Sequence, residues 1–281
     1  MALTQILNSI NPAWSYNVEL RWEQAELIKR FPNNNLLRKL FGLWTAIKPR
    51  PRMRATDIAL GHWSAVLQSQ SEVDKAIAMA RHYALPLHAD TTKNWDLWRA
   101  FSFILNHCPK TAHVLDMGAA EYSMLLPWLH LNGFRRLFGC DIVYQTEAFN
   151  RGVIRYARQN LEATNYPSGS FDFITSISVI EHGVNFERYC AEAARLLRPG
   201  GHLITTTDFW CVPIKTSGLA AYGHEIRVFT PDDIRELLQA AAKVDLMPID
   251  NPDFECAEKV VKWDRPGLEF TTLFLVLSKR L

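Results

Sequence analysis

The sequence predicts an α/β fold, a mostly parallel sheet with helices on both faces, and three stretches carry that prediction. The apolar, β-prone run His113-Val114-Leu115 ends at Asp116, turns through Gly118-Ala119-Ala120, and enters a segment with Met124, Leu125 and Leu129 near helical spacing. Arg136-Leu137-Phe138-Gly139-Cys140 is a second apolar run that also stops at an acid, Asp141. The third is a strand, helix, strand unit: Phe171-Asp172-Phe173-Ile174, an amphipathic stretch over 185–197, and an apolar run over 202–208 that follows the turn Pro199-Gly200-Gly201. Strands that alternate with helices call for parallel pairing through right-handed crossovers.

The chain has 281 residues, 48% of them hydrophobic, enough for a sizeable core and an extension. No run approaches the roughly 18 apolar residues of a membrane span. The opening MALTQILNSINPAW lacks the charged and apolar regions of a signal peptide, so a cytoplasmic location is expected. Five widely spaced cysteines with no C-x-x-C pair read as reduced thiols, and no metal site is expected. Net charge is +2, yet residues 29–56 hold eight basic side chains and no acid.

In chain order, Leu36, Leu37, Leu40, Phe41, Trp44 and Ile47 fall near helical spacing, up to the break at Lys48-Pro49-Arg50-Pro51. This basic segment reads as a helix packed on its own core with a solvated face, or as a contact for an anionic surface. A second helix is expected over residues 56–83, and the boundary of an N-terminal helical extension is placed at 1–90, with the main domain over 91–281. A helix follows Asn94-Trp95-Asp96 and leads into the first strand. Asn132-Gly133 stops the helix after that strand. Residues 153–157 supply a third strand, and Pro167-Ser168-Gly169-Ser170 turns into the fourth. Thr230-Pro231 opens a helix to about residue 242, and residues 246–249 and 268–277 supply two last strands.

In an open α/β sheet ligands bind beyond the carboxyl ends of the strands. The pattern G-x-G-x-x-G is missing after the first strand, so a pyrophosphate is not expected there. Asp141, 25 positions after Asp116, suits ribose hydroxyls, because a carboxylate offers two acceptor oxygens. A strand-end acid exposed to water is the plainer reading of the same residue.

The order of these fragments, namely Asp116-x-Gly118, Pro167-x-x-x-Phe171-Asp172, Ser176-x-x-x-x-Glu181-His182 and Arg195-Leu196-Leu197-Arg198-Pro199-Gly200-Gly201, resembles the class I S-adenosylmethionine (SAM)-dependent methyltransferases of the small-molecule type. The resemblance covers about residues 114–208 and continues loosely to 281. It implies a Rossmann-like, mostly parallel seven-stranded sheet with an antiparallel last strand. It also implies SAM as cofactor, held by Asp116, Gly118, Ala119 and Ala120 after the first strand and by Asp141 and Ile142 after the second. Leu161, Glu162 and Ser176 complete the expected cofactor set. Segments before the first strand often cover the pocket in such enzymes, which brings Lys93 and Trp95 near it; a structural tryptophan and a capping Asn94 are the plainer readings, and no catalytic role is assigned to them.

The expected activity is methyl transfer to an oxygen of a small-molecule, sugar or lipid-linked acceptor. Candidate bases are His182, Asp208 and His224, the last within a long aromatic connection with Trp210 and Tyr222. A pocket-shaping role for Glu181-His182, a surface position for His224 and a capping role for Asp208 are the bland alternatives. No [DN]-P-P-[YF] follows the fourth strand and no Pro-Cys pair occurs, which argues against nucleic-acid bases as acceptors. Ala120, Tyr122 and Asn160 depart from the family pattern and motivate a second reading, a non-catalytic SAM-binding or partner protein on the same fold. Oligomeric state is not legible in the sequence.

Overall fold

The computed structural model describes residue 53 and residues 62–120, 122–221, 224–263 and 267–280. In chain order the elements are β1 (Ala65–Val66), α1 (Gln70–His82), α2 (Lys93–His107), β2 (His113–Met117), α3 (Leu125–Leu131), β3 (Arg136–Asp141), β4 (Ala148–Arg151), β5 (Ile154–Arg158) and β6 (Phe171–Ile177). There follow α4 (Phe186–Leu196), β7 (Leu197–Phe209), β8 (Ala220–Ala221), β9 (His224–Glu225), α5 (Pro231–Ala242), β10 (Leu246–Pro248), β11 (Val261–Trp263) and β12 (Leu268–Lys279).

One sheet organises them, in the order β1-β12-β7-β6-β2-β3-β5-β4, with β10 and β11 also on β12. The five strands β5, β3, β2, β6 and β7 are parallel. β12 runs antiparallel to β7 over eight pairs from Thr271↔Phe209 to Ser278↔His202, and β10 pairs antiparallel with β12. These are the seven strands expected from the sequence, to which β1, β4 and β11 add short pieces. From β2 the chain steps outward to β3 and β5, then returns to β6 on the other side of β2. The strand order therefore reverses between β2 and β6, and a crevice opens at their carboxyl ends.

Each face of the sheet is covered by its own apolar cluster. Phe101, Phe103 and Ile104 of α2 pack with Trp128 of α3 against Val114, Phe173 and Phe274. On the other face Tyr189, Ala193 and Leu196 of α4 and Ile234 and Leu237 of α5 meet Leu115, Ile174 and Leu203. Helix starts follow the sequence signals. Asn185 Oδ1 accepts from the Arg188 N–H at 3.0 Å, and Thr230 and Asp233 form a reciprocal cap with Pro231 in the first turn. Gly201 is needed for close approach: a Cβ there would meet the Arg198 carbonyl oxygen at 2.9 Å.

The helix expected over 56–83 is corrected: within the described residues it covers only Gln70–His82. Residues 63–67 are extended instead. Ala65 and Val66 pair with Phe274 and Leu273, the Leu67 N–H donates to the Thr272 carbonyl, and the Trp63 N–H donates to the Asp250 carboxylate at 2.7 Å. Arg99 Nη2 donates to the carbonyls of His62 and Trp63. The outer edge of β12 offered backbone partners that a helix cannot use, and tertiary pairing overrode the periodicity. Within the stretch assigned to the extension, residues 65–67 therefore pair with the edge of the sheet. The hairpin strand β4, turning at Gly152, was not expected from the sequence. The basic stretch 29–56, apart from Met53, and the expected helix over 36–47 lie outside the described residues. Among the described residues no helix is long and apolar enough to cross a membrane.

Candidate functional site

The crevice has two sides, set by the strand order. On the β2–β3 side, Asp116 is buried at the end of β2, and Thr175 Oγ1 of the neighbouring β6 donates to its Oδ1 at 2.7 Å. Burial pushes its carboxyl up to about 7, with the nearby Asp141 charge adding to the shift and the Thr175 hydrogen bond opposing it. The chain then turns at Gly118, whose φ is +80°. The N–H groups of Gly118 and Ala119 both donate to the Cys140 carbonyl, at 2.7 and 3.0 Å, and the Tyr144 hydroxyl donates to the Ala119 carbonyl. A Cβ on Gly118 would lie 2.3 Å from Cγ2 of Val179, so the loop after β6 sits directly on this turn. Ala119 is buried beneath and Ala120 is half-buried.

Asp141 stands at the end of β3 with its carboxylate half-buried, Oδ1 accepting from the Val143 N–H at 3.0 Å. Burial raises its pKa above the ordinary carboxylate value. Next to it Ile142 and Val143 are 57% and 55% exposed, two adjacent apolar side chains held in water at the mouth of the crevice. A half-exposed acceptor beside an uncovered apolar surface suits a ligand with hydroxyls attached to a flat ring. Leu161 is half-buried against the α4-side core. Glu162 is engaged elsewhere: its N–H donates to Asn160 Oδ1 at 2.9 Å, its Oε1 accepts from the Asn185 N–H at 2.7 Å, and its Oε2 lies 3.8 Å from Arg188. Its carboxylate thus ties this loop to the start of α4. Ser176 is fully buried within β6, and Ser178, one step past the strand, is the serine at the mouth.

On the β6–β7 side the side chains are charged. Asp208, the penultimate residue of β7, lies with its Oδ1 3.8 Å from Nζ of Lys93, in the first turn of α2. The same ammonium is 3.9 Å from Asp96 Oδ2 and donates to Ser178 Oγ. Asp96 is fully buried; Thr206 Oγ1 approaches its Oδ2 at 3.4 Å, and its Oδ1 has no hydrogen-bond partner among the described residues. Glu181, buried in the loop after β6, accepts from Thr207 Oγ1 at 3.3 Å. Burial raises Asp96 to about 7 against the pull of Lys93. Burial likewise raises Asp208 and Glu181, and Asp208's charge raises Glu181 further while Lys93 opposes both shifts. Burial works against the Lys93 charge, yet Asp208 and Asp96 keep it firmly protonated.

The sequence-derived candidates thus divide. Asp116, Gly118, Ala119, Ala120, Asp141 and Ile142 converge on one side of the crevice, and Asp208 stands on the other. His182 is half-buried in the loop after β6, its N–H donating to the Val179 carbonyl. His224 belongs to the short β8–β9 hairpin; its side chain and Tyr222 lie outside the described residues. Trp95 is buried against Phe274 and the Arg99 guanidinium. Asn94 is not a cap: its Oδ1 accepts from the His88 N–H at 2.9 Å, and Thr92 precedes the helix. In the sequence Glu181 reads only as a pocket-shaping residue and Asp96 only as part of a helix start. Their signals are the Lys93-x-x-Asp96 spacing on one helix face and an acid four residues past the end of β6.

The Asp116 shift has a consequence for stability. Its folded pKa is raised, so between about pH 4 and pH 7 the unfolded chain releases a proton that the native state keeps. Stability from this group is therefore full at low pH and falls as pH rises. In the free protein, Asp116→Asn removes that loss. Relative to wild type it gains on the order of 3 kcal/mol between pH 5 and pH 8. Denaturant melts at the two pH values check this, and equal pH slopes for the two proteins would contradict it.

A family model described as a methyltransferase domain matches residues 115–205, which run from β2 into β7. Among solved structures, a geranyl diphosphate methyltransferase in complex with SAM aligns with a TM-score of 0.52 at 15% identity, covering 75% of this chain and 91% of that one. A SAM-dependent methyltransferase from Mesorhizobium loti aligns at 0.48 and 18% identity, covering 66% and 98%. A putative methyltransferase in complex with the Haloferax volcanii activator Trm112 aligns at 0.49 and 14%, covering 75% and 95%. At these identities the structural likeness speaks to the fold alone. No curated protein matches the sequence.

Proposed function

We propose that this chain, whose fold is like that of SAM-dependent methyltransferases and whose residues 115–205 match a methyltransferase domain, methylates a hydroxyl oxygen of a small-molecule, sugar or lipid-linked acceptor. The residues at the β2–β3 side fit the cofactor. Asp141 is placed to accept from the ribose hydroxyls, Ile142 and Leu161 offer apolar surface to the adenine, and the turn at Gly118 lets a ligand approach the backbone. When bound, SAM supplies a methyl group on a positively charged sulfur.

The protein's own part is alignment and proton removal. On this reading the acceptor lies next to the cofactor, over β6 and β7, where Asp208 stands. An alcohol must lose its proton as the oxygen attacks, whereas a neutral amine attacks through its free lone pair. The observation that carries the oxygen assignment is Asp208 itself, a carboxyl at a strand end whose pKa burial raises toward the range useful to a base.

Transfer of a tritiated methyl group from SAM to matched panels of hydroxyl and amine acceptors tests this reading. Label in hydroxyl acceptors is the expected result. Label confined to amines would overturn the oxygen assignment, and tight SAM binding without transfer to any panel would favour the non-catalytic reading.

A further inference from the structure

Three carboxyl groups and one ammonium converge where α2 crosses the ends of β6 and β7. They come from positions far apart in sequence: Lys93 and Asp96 from α2, Glu181 from the loop after β6, and Asp208 from β7. Asp96 is sealed from water, whereas Lys93 and Asp208 keep 18% and 10% of their side-chain surface exposed. The pair facing the crevice is therefore Lys93 and Asp208, with Asp96 and Glu181 behind.

A buried Lys–Asp pair alone would be a plain ion pair, and the surplus acids make this one different. Two further carboxyls, Asp96 and Glu181, act on the same ammonium, and one oxygen, Asp96 Oδ1, is buried with no hydrogen-bond partner among the described residues. Closely spaced carboxyls that cannot all ionise hold a proton between them, and their titration belongs to the group rather than to one member. The Lys93 ammonium is the only cation whose distance to Asp208 is within 4 Å among the described residues. Asp90 in the turn before α2, Asp96 and Glu181 add acidic charge around Lys93 and Asp208, while His88 acts on Lys93 and Asp90 and the Arg99 guanidinium acts on Asp96; opposite Asp208 on β12 lies the uncharged Thr272.

We propose that Lys93 is a positioning residue of the transfer reaction: its ammonium keeps the Asp208 carboxylate ionised and aimed at the crevice, so that Asp208 takes the acceptor hydroxyl's proton. The proposal rests on the oxygen-acceptor reading above. In the step, the acceptor O–H bond breaks and its proton passes to an Asp208 oxygen. The oxygen's electron pair forms the new bond to the methyl carbon, and the sulfur–methyl bond breaks with its electron pair left on sulfur. The proton then rests in the carboxyl group cluster, where Glu181 and Asp96 share the load, until solvent takes it through the exposed edge of Asp208.

The test does not require the acceptor. Carbon-13 NMR of Asp- and Glu-labelled protein and nitrogen-15 NMR of Lys-labelled protein follow each carboxyl and the Lys93 ammonium against pH, with Asp208→Asn and Lys93→Met assigning the two signals. SAM titration calorimetry runs in parallel. In Lys93→Met the Asp208 midpoint is expected to move up by about 1 to 3 pH units, as for loss of an adjacent cation. Lys93→Arg is expected to restore most of that shift, and both variants are expected to retain SAM binding. In the wild-type protein, where folding is not in question, the Lys93 Nζ signal should titrate with the same midpoint as Asp208. An Asp208 midpoint unmoved in Lys93→Met, or a wild-type Lys93 signal indifferent to it, would overturn the proposal. Absence of SAM binding by the wild type would instead overturn the methyltransferase reading, and with it the catalytic role of Lys93, whatever the titration shows. With an acceptor in hand, the acid limb of the rate profile should move to higher pH in Lys93→Met by the same interval.

Discussion

Gly118→Ala is expected to destabilise the protein by about 2–5 kcal/mol and to weaken SAM binding. Two costs add. A residue with a Cβ at φ +80° loses roughly 1–2 kcal/mol relative to glycine, and a Cβ 2.3 Å from Val179 Cγ2 forces the loop after β6 to move, at about 1–3 kcal/mol. The melting temperature should fall by about 5–10 °C. The two costs separate in a double-mutant cycle. Adding Val179→Ala removes the collision and leaves the backbone strain, so the pair should recover about half of the loss. Strictly additive effects of the two substitutions would show that the loop does not rest on the turn.

Asp208→Asn is expected to lower the rate of methyl transfer by about 10²- to 10⁴-fold, the range for loss of a positioned general base. SAM affinity should be unchanged, since the residue stands on the β6–β7 side. Asparagine keeps the shape and the strand pairing with Thr272 but cannot take a proton. The loss should appear in kcat and kcat/KM together, as for an interaction made only in the transition state. Single-turnover kinetics with saturating SAM measure it. A rate within a few-fold of wild type would remove Asp208 from the reaction and turn attention to His182.

The geometry of the β2–β3 side of the crevice was legible because its signals are local. An acid, a glycine that alone tolerates φ +80°, and a second acid after a short strand all lie within 26 residues, from 116 to 141, and each does its work through its own stretch of backbone. The starts of α4 and α5 were readable for the same reason, since Asn185 and Thr230 cap helices that begin at the next residue. The β6–β7 side was legible only in part. Asp208 stood out as a strand-end acid, but that Lys93, Asp96 and Glu181 cluster with it follows only from the return from β5 to β6, which brings their segments together. Trp63, Val66 and Leu67 misled because the same three apolar positions can bury themselves along a helix or along an edge strand. Only the free edge of β12 decides between the two.

Titration calorimetry of the purified protein with SAM, beside Asp141→Ala, tests the central claim that the ends of β2 and β3 hold this cofactor. The account predicts micromolar binding by the wild type and binding weaker by about 10- to 100-fold in the variant, the loss of charge-assisted hydrogen bonds to the ribose. Equal affinity in the two proteins would place the cofactor elsewhere, and no binding by the wild type would contradict the account at its root.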